Sequence, residues 1–332
     1  MARPITQEDL AQRCGVTRQA VSLALNNRPG VSNDLRERIL EVARSLGYDS
    51  EHNRFAVGLA DRRNQRTSTW NTVAVLLTDS DHQPMRQSPY YAALIAGIDA
   101  EAEARDQDLL LTRLRADALP RLVRARQVDG VIFLARNPEL TTAVLALELR
   151  AVVVDHHHAG ALAVQPDNAA GITALVKHLR GLGHRRLAYI GPPLDGHTAR
   201  QRHDAFRVAA GSGAYVDVGM LGLEDGEGAR AAHRLLAAPG PRPTALVCYN
   251  DRTALEALAA LRARGLRVPE DISVAGFDDL PESAEAELTT IAFDRDGLGR
   301  TALALAIGAE VPEDGVAVGP VRLMVRGSTA KP

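Results

Sequence analysis

Ile5-Thr6-Gln7-Glu8-Asp9-Leu10-Ala11-Gln12-Arg13-Cys14-Gly15-Val16-Thr17-Arg18-Gln19-Ala20-Val21-Ser22-Leu23-Ala24-Leu25-Asn26 reads as two short helices joined by a tight turn. Thr6 is placed to cap the first helix, with Asp9 at its third position and Ile5 and Leu10 spaced to pack across its entry. Gly15 can adopt the left-handed backbone that ends it, and two residues later Thr17 is placed to cap the second. Helical periodicity puts Ala20, Val21, Ala24 and Leu25 on one arc of that second helix, and Arg18, Gln19, Ser22, Leu23 and Asn26 on the other. The inner arc is apolar and the outer arc is polar, which is the layout of a helix-turn-helix.

The outer arc has the chemistry of a base-reading surface. Arg pairs bidentately with guanine O6 and N7, Gln with adenine N6 and N7, and Leu packs on a thymine methyl. Arg18 and Gln19, at the helix N-terminus, are the expected base readers. Thr17, Ser22 and Asn26 are short donors suited to phosphates, which fix register without reading sequence. A capped helical hairpin with a solvated polar face accounts for this stretch taken alone. A third helix is signalled by Ser32 as cap, by Leu35, Ile39, Val42, Ala43 and Leu46 at helical spacing, and by Gly47 as terminator. Three helices can close a small core.

Val21-Ser22-Leu23-Ala24-Leu25-Asn26, Val31-Ser32-Asn33-Asp34-Leu35-Arg36 and Leu46-Gly47-Tyr48 together resemble the DNA-binding headpiece of the lac repressor family. Leu23 departs from the Arg that many members carry there, so the operator preference does not transfer. The family's hinge helix, whose Leu wedges into the minor groove, is matched by Asn53-Arg54-Phe55-Ala56-Val57-Gly58-Leu59-Ala60, displaced by two residues and without the usual Pro-Asn. Leu59 is the expected wedge, with Val57 as the alternative register, and an exposed linker is the other reading of this segment. The resemblance implies a DNA-contacting set of Thr6, Thr17, Arg18, Gln19, Ser22, Leu23, Asn26, Ser32, Ala56 and Leu59.

Composition bounds the remainder. At 332 residues, 45% hydrophobic and 24% charged, the chain suits a multi-domain globular protein. The formal net charge of -2 divides unevenly: residues 1–66 carry 11 Arg against 8 acids, a net +3, and the rest carries -5. The basic excess therefore belongs to the headpiece, and it is small enough that non-specific DNA affinity should be modest and salt-dependent. Lys177 and Lys331 are the only lysines. Two cysteines, Cys14 and Cys248, supply no disulfide framework. With no signal peptide read at the start and no apolar run of membrane-spanning length, the expected location is cytoplasmic, without membrane association.

From Thr72 onward short apolar runs alternate with amphipathic helices. The runs are 73–77, 109–111, 131–134, 152–154, 187–190, 245–248 and 272–277, separated by helices such as 90–104, 168–182 and 253–264. This alternation predicts α/β architecture with parallel sheets covered on both faces, and its length suggests two subdomains. Ligands in such sheets bind beyond the carboxyl ends of the strands, which directs attention to Asp79, Asp155, Asn250-Asp251 and Asp278-Asp279. Asp167-Asn168, Leu182-Gly183-His184-Arg185-Arg186, Arg242-Pro243-Thr244-Ala245, 268–279 and Leu288-Thr289-Thr290 again resemble the lac repressor family, in its effector domain, itself similar to periplasmic sugar-binding proteins. The resemblance implies that Asp155, Arg202, Asn250 and Asp278 grip a small-molecule effector. Each also has a structural alternative, as a cap or a surface ion pair. Glu256 and Ala286 depart from the family's Gly and Pro. At 4% aromatic residues, stacking surface for a sugar ring is expected to be scarce.

His156-His157-His158 is a tempting metal motif, but neighbouring strand residues point to opposite faces and no Cys pair or H-x-x-x-H helix completes a set. No P-loop, dinucleotide fingerprint or nucleophile elbow is present. Neither metal, cofactor nor enzymatic activity is expected. The sequence is therefore read as a headpiece (1–48), a hinge or linker (49–70) and an effector-binding and dimerisation domain (71–332) of two α/β subdomains. Such a chain is expected to be a ligand-responsive transcription regulator, read as a repressor, acting as a homodimer on a near-palindromic double-stranded operator under a small-molecule effector, with a sugar as the candidate class. A dimer that does not go on to a tetramer is expected, since the residues given after the strand-like stretch 321–326 are too few for a tetramerising heptad helix. The contrasting classes are a solute-binding protein and an enzyme on the same α/β domain.

Overall fold

A computed structural model describes residues 7–25, 30–46, 70–77, 88–113, 118–211, 215–222 and 225–332. Its contacts group the chain into two units, Met1–Trp70 and Asn71–Pro332.

In the first unit, α1 (Gln7–Cys14), α2 (Arg18–Leu25) and α3 (Asn33–Ser45) enclose a core of Leu10, Ala11, Cys14, Val21, Ala24, Ile39 and Ala43. Gly15, at φ +66°, supplies the left-handed turn after α1. Thr17 Oγ1 accepts from the Ala20 N–H at 3.2 Å and Ser32 Oγ from the Leu35 N–H at 3.3 Å, so both expected caps form. Thr6, Asn26, Ala56, Val57 and Leu59 lie outside the described residues.

The second unit runs β1 (Thr72–Leu77), α4 (Pro89–Ala104), β2 (Asp108–Arg113), α5 (Arg121–Arg124), β3 (Gly130–Phe133), α6 (Pro138–Ala146), β4 (Arg150–Val154), β5 (Leu162–Pro166), α7 (Asn168–Leu182), β6 (Leu187–Gly191), α8 (His197–Ala210), β7 (Tyr215–Gly219), α9 (Glu227–Ala237), β8 (Ala245–Cys248), α10 (Asp251–Ala263), β9 (Ser273–Ala275), α11 (Pro281–Glu285), β10 (Thr290–Phe293), α12 (Arg295–Ala306), β11 (Val316–Gly319) and β12 (Val321–Met324). One sheet has the order β11-β5-β4-β3-β1-β2 and another β7-β6-β8-β9, both parallel throughout. An antiparallel pair, β10-β12, completes the set. The apolar runs read from the sequence become strands buried on both faces, as the interior of a parallel sheet requires, except 109–111, which forms the half-buried edge strand β2. Each fully buried Val, Leu or Ile stabilises such a core by about 1.5–3 kcal/mol.

The chain passes between the sheets at residues 166–168, 293–295 and 319–321. Because α12 follows the second passage it returns to the six-stranded sheet, where it packs tightly on α4. A Cβ on Gly97 would collide with the Asp296 carbonyl, and one on Gly299 with the Leu94 carbonyl, so glycine on each helix permits this approach. That contact fixes the start of α4, which carries Tyr90 and Tyr91.

Candidate functional site

The carboxyl ends of strands from both parallel sheets converge. Asp155 directly follows β4 of the six-stranded sheet, whereas Arg202 is carried by α8 after β6, Asn250 follows β8 and Asp278 follows β9 of the four-stranded sheet. Arg202 is 1% exposed and lies along its helix with three anchors. Its Nε donates to Asn168 Oδ1 at 2.7 Å, its Nη1 donates to the Tyr249 carbonyl at 2.8 Å, and its guanidinium carbon sits 3.8 Å from the centroid of the Phe277 ring. Nη2 lies 3.7 Å from Asp278 Oδ1 and is buried without a hydrogen-bond partner.

Burial raises the Asp278 carboxyl well above the usual carboxylate range, and Arg202 opposes that shift. Asp155 is raised by the same cause, opposed by Arg202 and by hydrogen bonds from Tyr90 and Thr198. Although burial works against its charge, the nearby Asp278 leaves Arg202 more firmly protonated than an exposed arginine. Asp155 Oδ2 accepts from the Tyr90 hydroxyl at 3.1 Å, while Thr198 Oγ1 donates to the Asp155 carbonyl at 2.6 Å. Asp155 (φ +60°), Asp278 (φ +128°) and Asp279 (φ +54°) all hold left-handed backbone. Three strained aspartates at the same strand ends mark a functional site better than their sequence does. The strained turn is held from outside: Arg295 at the start of α12 donates to the Asp278 and Asp279 carbonyls, and Arg326 Nη2 meets Asp279 Oδ1 at 2.6 Å.

Asn250 stands apart from the other three. Its Oδ1 accepts from the Thr253 N–H at 2.9 Å and caps α10, which commits its acceptor and leaves its amide N–H groups. The neighbouring Asp251, fully buried, accepts from Ser283 Oγ at 2.6 Å, from the Leu280 N–H at 3.0 Å and from Thr290 Oγ1 at 2.5 Å. It braces the segment after β9.

Sequence reasoning missed Tyr90, Tyr91, Thr198, Asn168, Tyr249, Phe277 and Phe293. Tyr90 packs edge-on against Tyr91 at 5.1 Å and against Phe293 at 6.2 Å, and Phe277 lies 6.0 Å from Phe293. The few aromatic residues are thus locally concentrated, packed on one another and on Arg202. Five of the chain's twelve Tyr, Phe and Trp residues gather around Asp155, Arg202 and Asp278. Composition averages over the chain, and the fold concentrates these residues in one place. A separate cavity of about 440 Å³, lined by Leu235, Leu236, Pro243, Leu266 and Ile272, lies at the amino ends of β8 and β9 and holds none of these residues.

In the headpiece, Thr17, Arg18, Gln19 and Ser32 are exposed and Ser22 and Leu23 half-buried, while Val21 and Ala24 face the core. The polar arc of α2 is therefore turned outward. Among the described residues no group of three or more His, Cys, Asp or Glu side chains could hold a metal. No described helix is long and apolar enough to cross a membrane.

Residues 6–51 match the bacterial regulatory proteins of the lacI family, and residues 176–329 match the periplasmic binding protein-like domain. A solved LacI transcriptional regulator from a Rhodococcus species is 30% identical, with a TM-score of 0.67, over 78% of this chain and 98% of that one. The chain belongs to the lacI family. The HTH-type transcriptional repressor CytR of Escherichia coli K12 is 29% identical across 98% of this chain and 96% of its own length. The lac repressor dimer bound to operator and an anti-inducer, ONPF, is 25% identical, with a TM-score of 0.67, across 99% and 100%. Membership makes this chain a regulatory protein with a DNA-binding headpiece and a periplasmic-binding-protein-like domain, not an enzyme.

One departure from the family pattern has a structural explanation. Glu256, where a Gly is usual, accepts from the Gly226 N–H at 3.0 Å and the Gly228 N–H at 2.8 Å, and so closes the amino end of α9 from the side of α10. Ala286 ends α11 without the usual Pro, and nothing in the structure explains that exchange.

Proposed function

We propose that the protein is a cytoplasmic transcriptional repressor that binds a near-palindromic operator as a homodimer and is controlled by a neutral, hydroxyl-rich ring compound, a sugar or nucleoside, held by Asp155, Arg202, Asn250 and Asp278. The observation that carries this reading is the joint enclosure of Asp155, Asp278 and Arg202 by aromatic rings at facing strand ends. The ion-pair partners nearly balance, so an anionic effector gains little. Carboxylates that accept, an unspent Arg202 Nη2 and flat rings suit a molecule with several hydroxyls on a ring. Relatives named as repressors, and an operator-bound lac repressor dimer with a small ligand, support the rest.

In this reading Arg18 and Gln19 read bases, Leu23 touches a thymine methyl, and Thr17, Ser22, Asn26, Ser32 and Thr6 hold phosphates. Ala56 and Leu59 belong to a hinge that enters the minor groove. Residues 1–48 form the headpiece, 49–70 the hinge and 71–332 the effector and dimerisation domain. Two headpieces on a two-fold dimer match two half-sites, and an effector that binds the closed and open clefts unequally shifts operator affinity.

The test pairs operator selection from random DNA with calorimetric screening of sugars and nucleosides. Asp278→Ala should lose the calorimetric signal while the selected DNA is still bound. Binding of anionic sugar phosphates in preference to their neutral parents would overturn the assignment of the effector class.

A further inference from the structure

The histidine run left without a metal role sits where the two sheets face one another. His157, after β4, stacks on His197, the first residue of α8, with ring centroids 5.1 Å apart and planes inclined by 29°. Two further contacts span the same rim. Thr198 Oγ1 donates to the Asp155 carbonyl at 2.6 Å, and Arg136, after β3, pairs with Asp195, before α8, at 3.8 Å. We propose that His157 and His197 form a proton-sensitive latch, which holds the two subdomains together when the rings are neutral and releases them when both are protonated. It rests on the facing subdomains and not on the identity of the effector.

The argument is one of charge and position. Two neutral imidazoles stack, and one imidazolium is tolerated on a neutral ring, but two imidazoliums repel. The Arg136–Asp195 pair is more than half exposed on both sides and is screened by solvent, so it resists that repulsion weakly.

Among the described residues, the charged groups that act on the His197 ring are His157 and Arg200, and no acidic side chain is paired with either ring. On the β4 side, His156 is buried, donates from Nδ1 to the Val154 carbonyl at 2.8 Å, and is pushed down to about 4 by burial, so it stays neutral. His158 meets Thr142 of α6 at 3.1 Å. Asp155 is engaged by Tyr90 and Thr198. On the α8 side, Arg200 adds positive charge and Asp195 is turned to Arg136. Burial, His157 and Arg200, in that order, each hold the His197 ring below its ordinary value. Residues 197 and 198 also open α8, whose helix dipole is positive at that end.

The sign follows from linkage. The closed form binds fewer protons than the open form, so closure is fully favoured above the open-state histidine value of about 6.5 and weakens as pH falls through it. A difference of one pK unit between the two forms corresponds to about a tenfold shift in the closing equilibrium.

Pulsed electron paramagnetic resonance can read that equilibrium on the full chain without effector. Spin labels at Glu139→Cys on α6 and Val208→Cys on α8 occupy exposed positions on the two subdomains, and Cys14 and Cys248 are buried. Between pH 8 and pH 5.5 the longer-distance population should grow about fivefold relative to the shorter. His157→Phe, which keeps a ring but cannot take a proton, and His197→Asn should each flatten that response. Histidine proton NMR on the unlabelled chain should show the His197 ring held below its ordinary value, and His157→Phe should relieve part of that depression. A distance distribution that is constant with pH, a His197 ring that does not respond to His157→Phe, or a response that persists in both variants would each overturn the latch. Persistence would assign the response to Asp155 instead.

Discussion

On α2, Arg18, Gln19, Ser22 and Leu23 lie within two turns of one helix, and the fold has only to bury Val21 and Ala24 beneath them. At the effector site, Asp155 and Asp278 follow strands of two different sheets and Arg202 comes from the middle of α8, and their conformations depend on Tyr90, Asn168, Thr198, Tyr249, Arg295 and Arg326. A surface of the first kind is written in local periodicity and tolerates loss of a single side chain without loss of fold. A constellation of the second kind is coupled, so altering one member alters the electrostatics of the others.

The contrast is tested most severely at Arg202. Arg202→Met leaves the Asp278 carboxyl buried without its counter-charge, and the effector domain should lose about 3–5 kcal/mol of stability at neutral pH. Burial already raises Asp278, and without Arg202 it is raised further. The folded state then favours the protonated carboxyl more than the unfolded state does, so the loss should shrink as pH falls toward that raised value. Urea unfolding at several pH values, with Arg202→Met/Asp278→Asn beside the single variant, checks this. A loss that does not vary with pH and is not relieved in the double variant would mean that the two residues are independent.

Arg18→Ala should do the reverse, with fold and effector binding intact and specific operator binding weakened by about 1–3 kcal/mol together with relaxed preference at one base pair. Binding across operator variants decides this, and equal loss on every sequence would demote Arg18 to a phosphate contact. Glu256→Gly should destabilise the effector domain by about 2 kcal/mol, through two lost carboxylate to N–H bonds and a glycine inside α10, and leave operator affinity unchanged. Thermal unfolding beside a gel shift reads both halves of that expectation. The smallest effect is expected at Thr17, where Thr17→Ala removes one cap at a cost of about 1 kcal/mol. Faster amide exchange confined to Arg18–Leu25 is its signature, and exchange that speeds up across α1 and α3 as well would show the three helices unfolding as one unit.

Much of the fold was legible in the sequence. The strands at Val73–Leu77, Val152–Val154 and Ala245–Cys248 were plain because strands buried on both faces need unbroken apolar runs, and the helix read at 168–182 is α7, which the structure shows capped by Asp167 and ended by Gly183. The stretch read as strand-like at 321–326 contains β12, but the edge strand β7 and β12's antiparallel partner β10 were not read, because short or half-exposed strands carry a weak pattern. At the site, Asp155, Arg202 and Asp278 were reachable as polar residues in a family pattern, but Thr198 and Tyr90 gave no signal, since neither lies directly after an apolar run.

What the sequence determined by itself was everything carried by neighbours along the chain: the capped helices of the headpiece, the outward face of α2, the alternation that makes parallel sheets, and the positions of the strand ends. Tertiary structure decided which strand ends meet. It gathered five aromatic rings from an aromatic-poor chain around two raised carboxyls, spent the Asn250 acceptor on a helix cap, and brought His157 against His197. Hydrophobic periodicity is a local property with a short repeat, whereas burial, charge balance and ring contacts depend on strand order and on helices returning between sheets, and no spacing along the sequence encodes those distances.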